Sequence, residues 1–177
     1  ALKNLNECEI LINHNEIVSS STVTHSYGVF FTDDLYDKHC DLLLRYGKDT
    51  AEARRLVFID NGLPSDIENK IYSYFQEKKV QCQCNRVQCD EETKDLAMLE
   101  SVLATMESFG VERRGEPIIC IGGGVLMDAV AMACSLYRRG VPFIKVPTTL
   151  LGIVDASIGI KTSVNHFGRR NRLGSYF

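Results

Sequence analysis

No run of the 177-residue sequence stays apolar for the ~18–20 residues that a membrane-crossing helix needs. The opening ALKNLNECEI has no apolar core of the kind that marks a secretory signal. Low-complexity tracts, internal repeats and a linker-like break in composition are missing too, which leaves one domain over residues 1–177 as the expectation. The remaining composition is that of an ordinary globular protein, 45% hydrophobic and 24% charged. Seven cysteines make an odd number in a chain that is no small secreted scaffold, so a reducing, cytoplasmic setting is expected. CQCNRVQC at 82–89 lacks a second CxxC and has no neighbouring His. It reads as an alternating strand with thiols on one face, ahead of a zinc cluster.

Carboxylates disappear from Ala156 onward, where Lys161, Arg169, Arg170 and Arg172 are the only charged residues. Residues 138–177 carry seven Arg or Lys against one acid, Asp155, a balance of +6; with −3 overall, the first 137 residues carry −9. A local basic segment in an acidic chain suits a small anionic ligand better than a nucleic acid, which asks for a broader basic footprint. A solvated basic loop is the plainer alternative.

Apolar periodicity predicts alternating strands and helices. HSYGVFF (25–31) reads as a strand and TDDLYDKHCDLLLRYG (32–47) as a helix closed by Gly47. RRLVFID (54–60), VQCQCNRV (80–87), EPIICIGGG (116–124) and VPFIKVPTT (141–149) read as strands. LPSDIENKIYSYFQEKK (63–79), DEETKDLAMLESVLATMESFG (90–110) and VLMDAVAMACSLYRR (125–139) read as helices, the last apolar nearly all round and therefore buried. Such alternation means βα units and a mostly parallel sheet with helices on both faces.

There is no GxGxxG and no GK[ST], so neither common nucleotide fingerprint applies. Instead Gly122, Gly123 and Gly124 stand between a strand and a buried helix. Glycine lets a backbone approach a pyrophosphate, and the free amides and dipole of a helix N-terminus favour an anion. A tight strand-to-helix turn explains the same glycines without a ligand. Asp128 is expected in the first helical turn, where a carboxylate is favourable in any case. Asp60 ends a strand, as ribose-binding acids do, but precedes the glycines by about 60 residues rather than following them by about 20.

The combination GGG-x3-D, RG-x-PF-x3-PTTLL, VDAS-x-G-x-KT-x-VN and NRLG over residues 116–177 resembles the N-terminal domain of the dehydroquinate synthase superfamily, the sugar phosphate cyclases. SLYRRG and NRLGSY resemble the sedoheptulose 7-phosphate cyclases within it, such as 2-epi-5-epi-valiolone synthases and desmethyl-4-deoxygadusol synthases. The resemblance implies an α/β, Rossmann-like, mostly parallel sheet flanked by helices. It implies NAD contacts from Asp60, Glu91, Lys94, Gly123, Gly124, Val125, Asp128, Thr148 and Thr149. It implies substrate contacts from Asp155, Lys161 and Asn171, with Arg170 standing where the family commonly has Lys, and Arg139 reaching a phosphate in the neighbouring subunit of a homodimer. It implies transient oxidation of a sugar phosphate, β-elimination of phosphate and aldol closure, chemistry that needs cations near a developing enolate. A zinc or cobalt ion is expected only with a C-terminal helical domain absent here, since His14, His25, His39 and His166 form no ligand pair. The chain is thus expected to be a fragment, inactive alone. 3-Dehydroquinate synthase, a non-catalytic NAD-binding module and the iron-dependent polyol dehydrogenases remain as alternatives.

Overall fold

The computed structural model describes residues 7–12, 17–48 and 53–177. The chain divides into two compact units, residues 1–30 and 31–177. In the first, β1 (Glu7–Ile12) and β2 (Ile17–Thr22) pair antiparallel, with Glu7 opposite Thr22 and Ile12 opposite Ile17.

In the second unit β3 (Arg54–Asp60), α1 (Asp66–Glu77), β4 (Gln81–Val87), α2 (Leu96–Phe109), β5 (Ile118–Gly122), α3 (Gly124–Leu136) and β6 (Phe143–Pro147) alternate along the chain. Their four strands form one parallel sheet in the order β4-β3-β5-β6. Residues 55–59 of β3 are all buried, as befits a parallel strand covered on both faces. Strict alternation divides its side chains between two cores. Leu56 and Phe58 join Ile118, Cys120 and the apolar faces of α2 and α3. Val57 and Ile59 join Ile119, Ile121 and Ile71, Tyr74 and Phe75 of α1. The expected Rossmann-like arrangement, a parallel sheet with helices on both faces, is what forms.

α2 begins at Leu96 rather than at Asp90. Asp95 is extended and caps the helix, its Oδ1 accepting from the Met98 amide at 3.0 Å, as an N-cap aspartate does. Residues 90–93 are a turn instead, closed by the Thr93 hydroxyl on the Asp90 carbonyl at 3.0 Å. Gly110, at φ 68°, ends the helix in the left-handed conformation that favours glycine.

Two expected elements do not form. Residues 25–31 belong to no strand and are exposed. Residues 32–47 are turns and bends, not a helix. Asp34 and Asp37 accept from the amides of Tyr36 and His39 at 2.9 and 2.7 Å, local bonds that compete with helical ones. The buried Arg55 guanidinium donates to the carbonyls of Leu43, at 3.4 Å, and Tyr46, at 2.9 Å, the first of which a helix would need for itself. The segment is thus held by the sheet.

After β6 the chain makes a π-helical turn, Gly152–Ala156, and an antiparallel hairpin of β7 (Lys161–His166) and β8 (Arg169–Tyr176). Phe167 and Gly168, at φ 52° and 68°, form its two-residue turn, a type I′ geometry. Val164 of β7 is buried in the core with α2 and α3, which anchors the hairpin beside the sheet. Cys82 and Cys84 do share a face of the edge strand β4, their sulfurs 3.9 Å apart. Among the described residues no helix is long and apolar enough to cross a membrane.

Candidate functional site

Connections run outward in opposite directions from β3, which leads to β4, and from β5, which leads to β6. The chain order therefore reverses between these adjacent strands, and in open parallel sheets ligands bind in the crevice at the carboxyl ends of such strands. Asp60 ends β3 and Gly122 ends β5; Ile59 pairs with Ile121, so the two ends lie side by side.

The three glycines are not equivalent, and none has a positive φ. A Cβ on Gly122 would lie 2.9 Å from both Asp60 Cβ and Leu126 Cδ2, so packing within the protein requires glycine there. A Cβ on Gly123 would meet Thr149 Cγ2 at 3.4 Å, and one on Gly124 would meet Ala156 Cβ at 3.6 Å. Both are ordinary contacts. Gly123 is the N-cap of α3, extended at φ −90° and ψ −176°, with no side chain capping the helix. The amides opening α3, those of Gly124 and Val125, thus stand without the side-chain partner that most helices supply. Around them lie Asp60, whose Oδ1 accepts from the Gly62 amide at 2.9 Å, and the exposed Thr148 and Thr149. Thr148 donates its amide to Gly122 O at 2.9 Å, and Thr149 Oγ1 accepts from the Gly152 amide at 3.0 Å.

Asp128 lies in the second turn of α3, not the first, because the helix starts at Gly124. Its partner is Lys94 rather than the helix terminus. The ammonium of Lys94, only 4% exposed, stands 2.5 Å from Asp128 Oδ2 and donates to Asn171 Oδ1 at 2.8 Å. Burying that charge without partners would be costly; the carboxylate and the amide oxygen compensate it. Asn171 in turn accepts from Ser163 Oγ at 2.8 Å and sits at φ 51°. One buried lysine therefore ties the glycine-led helix, the turn before α2 and the hairpin together.

Glu91, at the other end of that turn, is 3.8 Å from the exposed Arg170, a loose surface pair of small energetic weight. Lys161 is exposed at the start of β7, on the same strand face as Ser163. Asp155 is exposed in the π-helical turn, whose end is held by Lys145 through bonds to the carbonyls of Ala156 at 2.6 Å and Gly159 at 3.2 Å. Burial pulls the Lys145 ammonium below its ordinary value, against the upward pull of Cys120, Asp128 and Asp155. Arg139 is not brought to this cluster. It follows the far end of α3, about 20 Å from Gly124 at 1.5 Å per residue, exposed and at φ 64°.

The sequence pattern of the 3-dehydroquinate synthase N-terminal family matches residues 69–177, which include all of this cluster except Asp60. The chain belongs to that family. Among relatives of this 3-dehydroquinate synthase N-terminal domain, the 2-epi-5-epi-valiolone synthase of Streptomyces albus is 45% identical over 152 residues, 85% of this chain and 37% of that protein. The solved 2-epi-5-epi-valiolone synthase of Streptomyces hygroscopicus subsp. jinggangensis, with NAD+ and Zn2+ bound, superposes at a TM-score of 0.81 with 36% identity, over 89% of this chain and 42% of that one. A 2-deoxy-scyllo-inosose synthase complexed with carbaglucose-6-phosphate, NAD+ and Co2+ superposes at 0.65 with 29% identity, over 71% of this chain and 34% of that one. The chain spans well under half the length of these relatives.

For this family member the sequence reading missed Asn165, Ser163 and Lys145. Ser163 and Asn165 were legible as alternating polar positions in KTSVNH, though nothing in that pattern named their partners. Lys145 stands in an apolar strand and is tied to chain 11 and 14 residues further on, a contact no local pattern shows.

Proposed function

We propose that the chain is the NAD-binding domain of a longer, two-domain sugar phosphate cyclase of the 2-epi-5-epi-valiolone synthase kind. In the intact protein it would convert sedoheptulose 7-phosphate into a cyclitol with loss of phosphate. The observation that carries this reading is the uncapped, glycine-led start of α3 at the reversal point of a parallel sheet, beside Asp60. Protein packing accounts for Gly122 but leaves room for a methyl at Gly123 and Gly124. Bare backbone at those two positions fits a pyrophosphate cradle. The names of the relatives, with NAD+ in two of their structures, support the same reading.

In this proposal the amides at Gly123, Gly124 and Val125 take the pyrophosphate, and Asp60 accepts from ribose hydroxyls. Thr148, Thr149 and Glu91 border the nucleotide. When bound, NAD+ supplies the transient oxidation of one substrate alcohol and its later reduction. Lys94 keeps Asp128 and Asn171 in fixed positions, so that the cofactor side and the substrate side of the crevice share one charge-compensated hub. Lys161 and Arg170 supply positive charge for a developing enolate and a departing phosphate, and Asp155 and Asn171 orient substrate hydroxyls. Arg139, remote from the cluster, reaches a phosphate in the partner of a cytoplasmic homodimer. Among the described residues no group of three or more His, Cys, Asp or Glu side chains is placed to hold a metal ion. Zn2+ and Co2+ are bound in relatives of which this chain covers only 42% and 34%; the proposal puts the ligands of the zinc or cobalt ion in a second, helical domain, and the chain alone binds NAD+ without turnover.

The test is to incubate the intact protein with sedoheptulose 7-phosphate and, separately, with the seven-carbon phosphorylated acid used by dehydroquinate synthases. Inorganic phosphate and NADH absorbance are followed together. Phosphate release from sedoheptulose 7-phosphate without net NADH is the expected result. Turnover of the acid alone would make the protein a 3-dehydroquinate synthase, and steady NADH accumulation would make it a polyol dehydrogenase.

A further inference from the structure

The hairpin ladder of β7 and β8 is interrupted at one place: Val164 pairs with Leu173 and His166 with Arg169, with a register shift between. Asn165 occupies that break. The extra residues lie on β8, where residues 170–172 stand opposite Asn165 alone, so the bulge shapes the Asn171 side of the break, while Asn165 leaves β7 on the same strand face as Lys161 and Ser163. Its Nδ2 donates to the Glu91 carbonyl at 2.6 Å and to Glu91 Oε1 at 3.3 Å. Its Oδ1 accepts from the Asn171 amide at 2.8 Å. Its own amide donates to the Lys94 carbonyl at 2.7 Å. An asparagine side chain offers two donors and two acceptor sites, and three bonds to two separate segments engage nearly all of them.

Those segments matter because of what they carry. Glu91 and Lys94 bracket the turn whose lysine holds Asp128, and Asn171 receives that same lysine on its side-chain oxygen. Asn171 is also held in the left-handed region, at φ 51°, where a non-glycine residue needs support from its surroundings. The Asn165 oxygen supplies it through the Asn171 amide. The bonds close a ring: Asn165 to Lys94 through the main chain, Lys94 to Asn171 through side chains, and Asn171 back to Asn165.

We infer that Asn165 is a positioning residue which locks the 91–94 turn and Asn171 into a single arrangement, so that the cofactor side and the substrate side of the crevice are set by one side chain. The inference rests on the function proposed above. Asn165 lies in none of the roles assigned there, and its bonds run to binding residues rather than to ligands.

Aspartate is the discriminating replacement. It is the same size and keeps the acceptor for Asn171. As a carboxylate it has no donor and places a negative charge against Glu91; once protonated it regains one O–H donor beside an acceptor. The charged groups around it are Glu91 itself, Arg170 at 3.8 Å from Glu91, and the Lys94–Asp128 pair. In the intact protein, NAD+ affinity and kcat/KM for sedoheptulose 7-phosphate are measured for the parent, Asn165→Asp and Asn165→Ala between pH 5 and 8.5, alongside thermal unfolding. At pH 8 Asn165→Asp should weaken NAD+ binding by about tenfold and lower kcat/KM by at least as much, as expected for losing a donor to a partly buried acceptor. Beside the Glu91 carboxylate the new carboxyl should titrate above the ordinary ~3.9, so lowering the pH toward 5 should bring Asn165→Asp part of the way back, while Asn165→Ala stays impaired at every pH. An unchanged NAD+ affinity in both variants, or losses that merely follow a lowered Tm, would overturn the positioning role. A parent protein that does not bind NAD+ would overturn the functional reading itself, and this inference with it.

Discussion

Replacing Gly124 by alanine should raise stability and lower NAD+ affinity at once, while the same change at Gly122 should act first on the fold. At position 124 a new methyl meets nothing nearer than Ala156 Cβ, at 3.6 Å, and the backbone is not left-handed. Alanine is favoured over glycine within a helix by ~0.5–1 kcal/mol. At this first helical position a gain of about 0.5 kcal/mol is expected, or 1–2 °C in Tm by the usual scaling. Binding should move the other way. If the amides of Gly124 and Val125 face the pyrophosphate, a methyl beside them holds the anion off, and hydrogen bonds to charged groups are worth ~1.5–3 kcal/mol each. Weakening one such bond lowers NAD+ affinity by about tenfold, since 1.4 kcal/mol is one decade. At Gly122, by contrast, the methyl comes to 2.9 Å from Leu126 Cδ2, which can swing aside, and to 2.9 Å from Asp60 Cβ, which the strand holds in place. Overpacking of this kind costs ~1–3 kcal/mol. Chemical unfolding and calorimetric NAD+ titration of the intact protein and both variants separate the two effects. Undiminished NAD+ binding by Gly124→Ala would refute the bare-backbone argument, and parent-like stability of Gly122→Ala would refute the packing argument.

Lys94→Met leaves Asp128 half-buried without its cation and should cost about 3 kcal/mol of unfolding free energy, the scale of a broken buried pair. Adding Asp128→Leu should restore much of the stability but not NAD+ affinity, and a single variant as stable as the parent would contradict this. Burial pushes the Cys120 thiol from 9.0 up to about 12 and raises Cys134 well above its ordinary value. A raised folded value means that the folded state keeps a proton the unfolded chain releases. Stability is then full below pH 9 and falls between pH 9 and 12, by ~1.4 kcal/mol per pH unit for each such thiol. Urea midpoints at pH 8, 9, 10 and 11 measure that slope; Cys120→Ala should lessen it, and a flat profile would disprove it. Phe167 occupies a type I′ turn at φ 52°, beside Gly168 at φ 68°, where Asn-Gly is the favoured pair. Phe167→Asn should raise Tm by a few degrees, and a fall would show that the contact of Phe167 with the His166 ring, at 3.8 Å between centroids, outweighs the backbone strain.

Much of the central sheet was legible because its signals are local. RRLVFID and IICIG are apolar runs of strand length, and a parallel strand buried on both faces has to be apolar on both. The buried helix after the glycines follows from VLMDAVAMACSL being apolar nearly all round. Residues 32–47 show the limit of that reading. Their apolar spacing suits a helix, yet aspartate turns and the buried Arg55 guanidinium take groups a helix would use.

The cluster divides in the same way. Sequence alone determined that three glycines would stand between a strand and a buried helix, that Asp60 would end a strand, and that the charge downstream of Ala156 would be positive, because each depends only on the order of residues along the chain. Tertiary structure alone decided that Gly122 is needed for Asp60 and Leu126 rather than for a ligand. It alone decided that Lys94 pairs with Asp128, 34 residues on, and with Asn171, 77 residues on, and that Asn165 reaches Glu91, 74 residues back. Partners so far apart in the chain meet only where strand order reverses and a hairpin folds back on the sheet. No local periodicity encodes those distances, because they are set by how the layers pack.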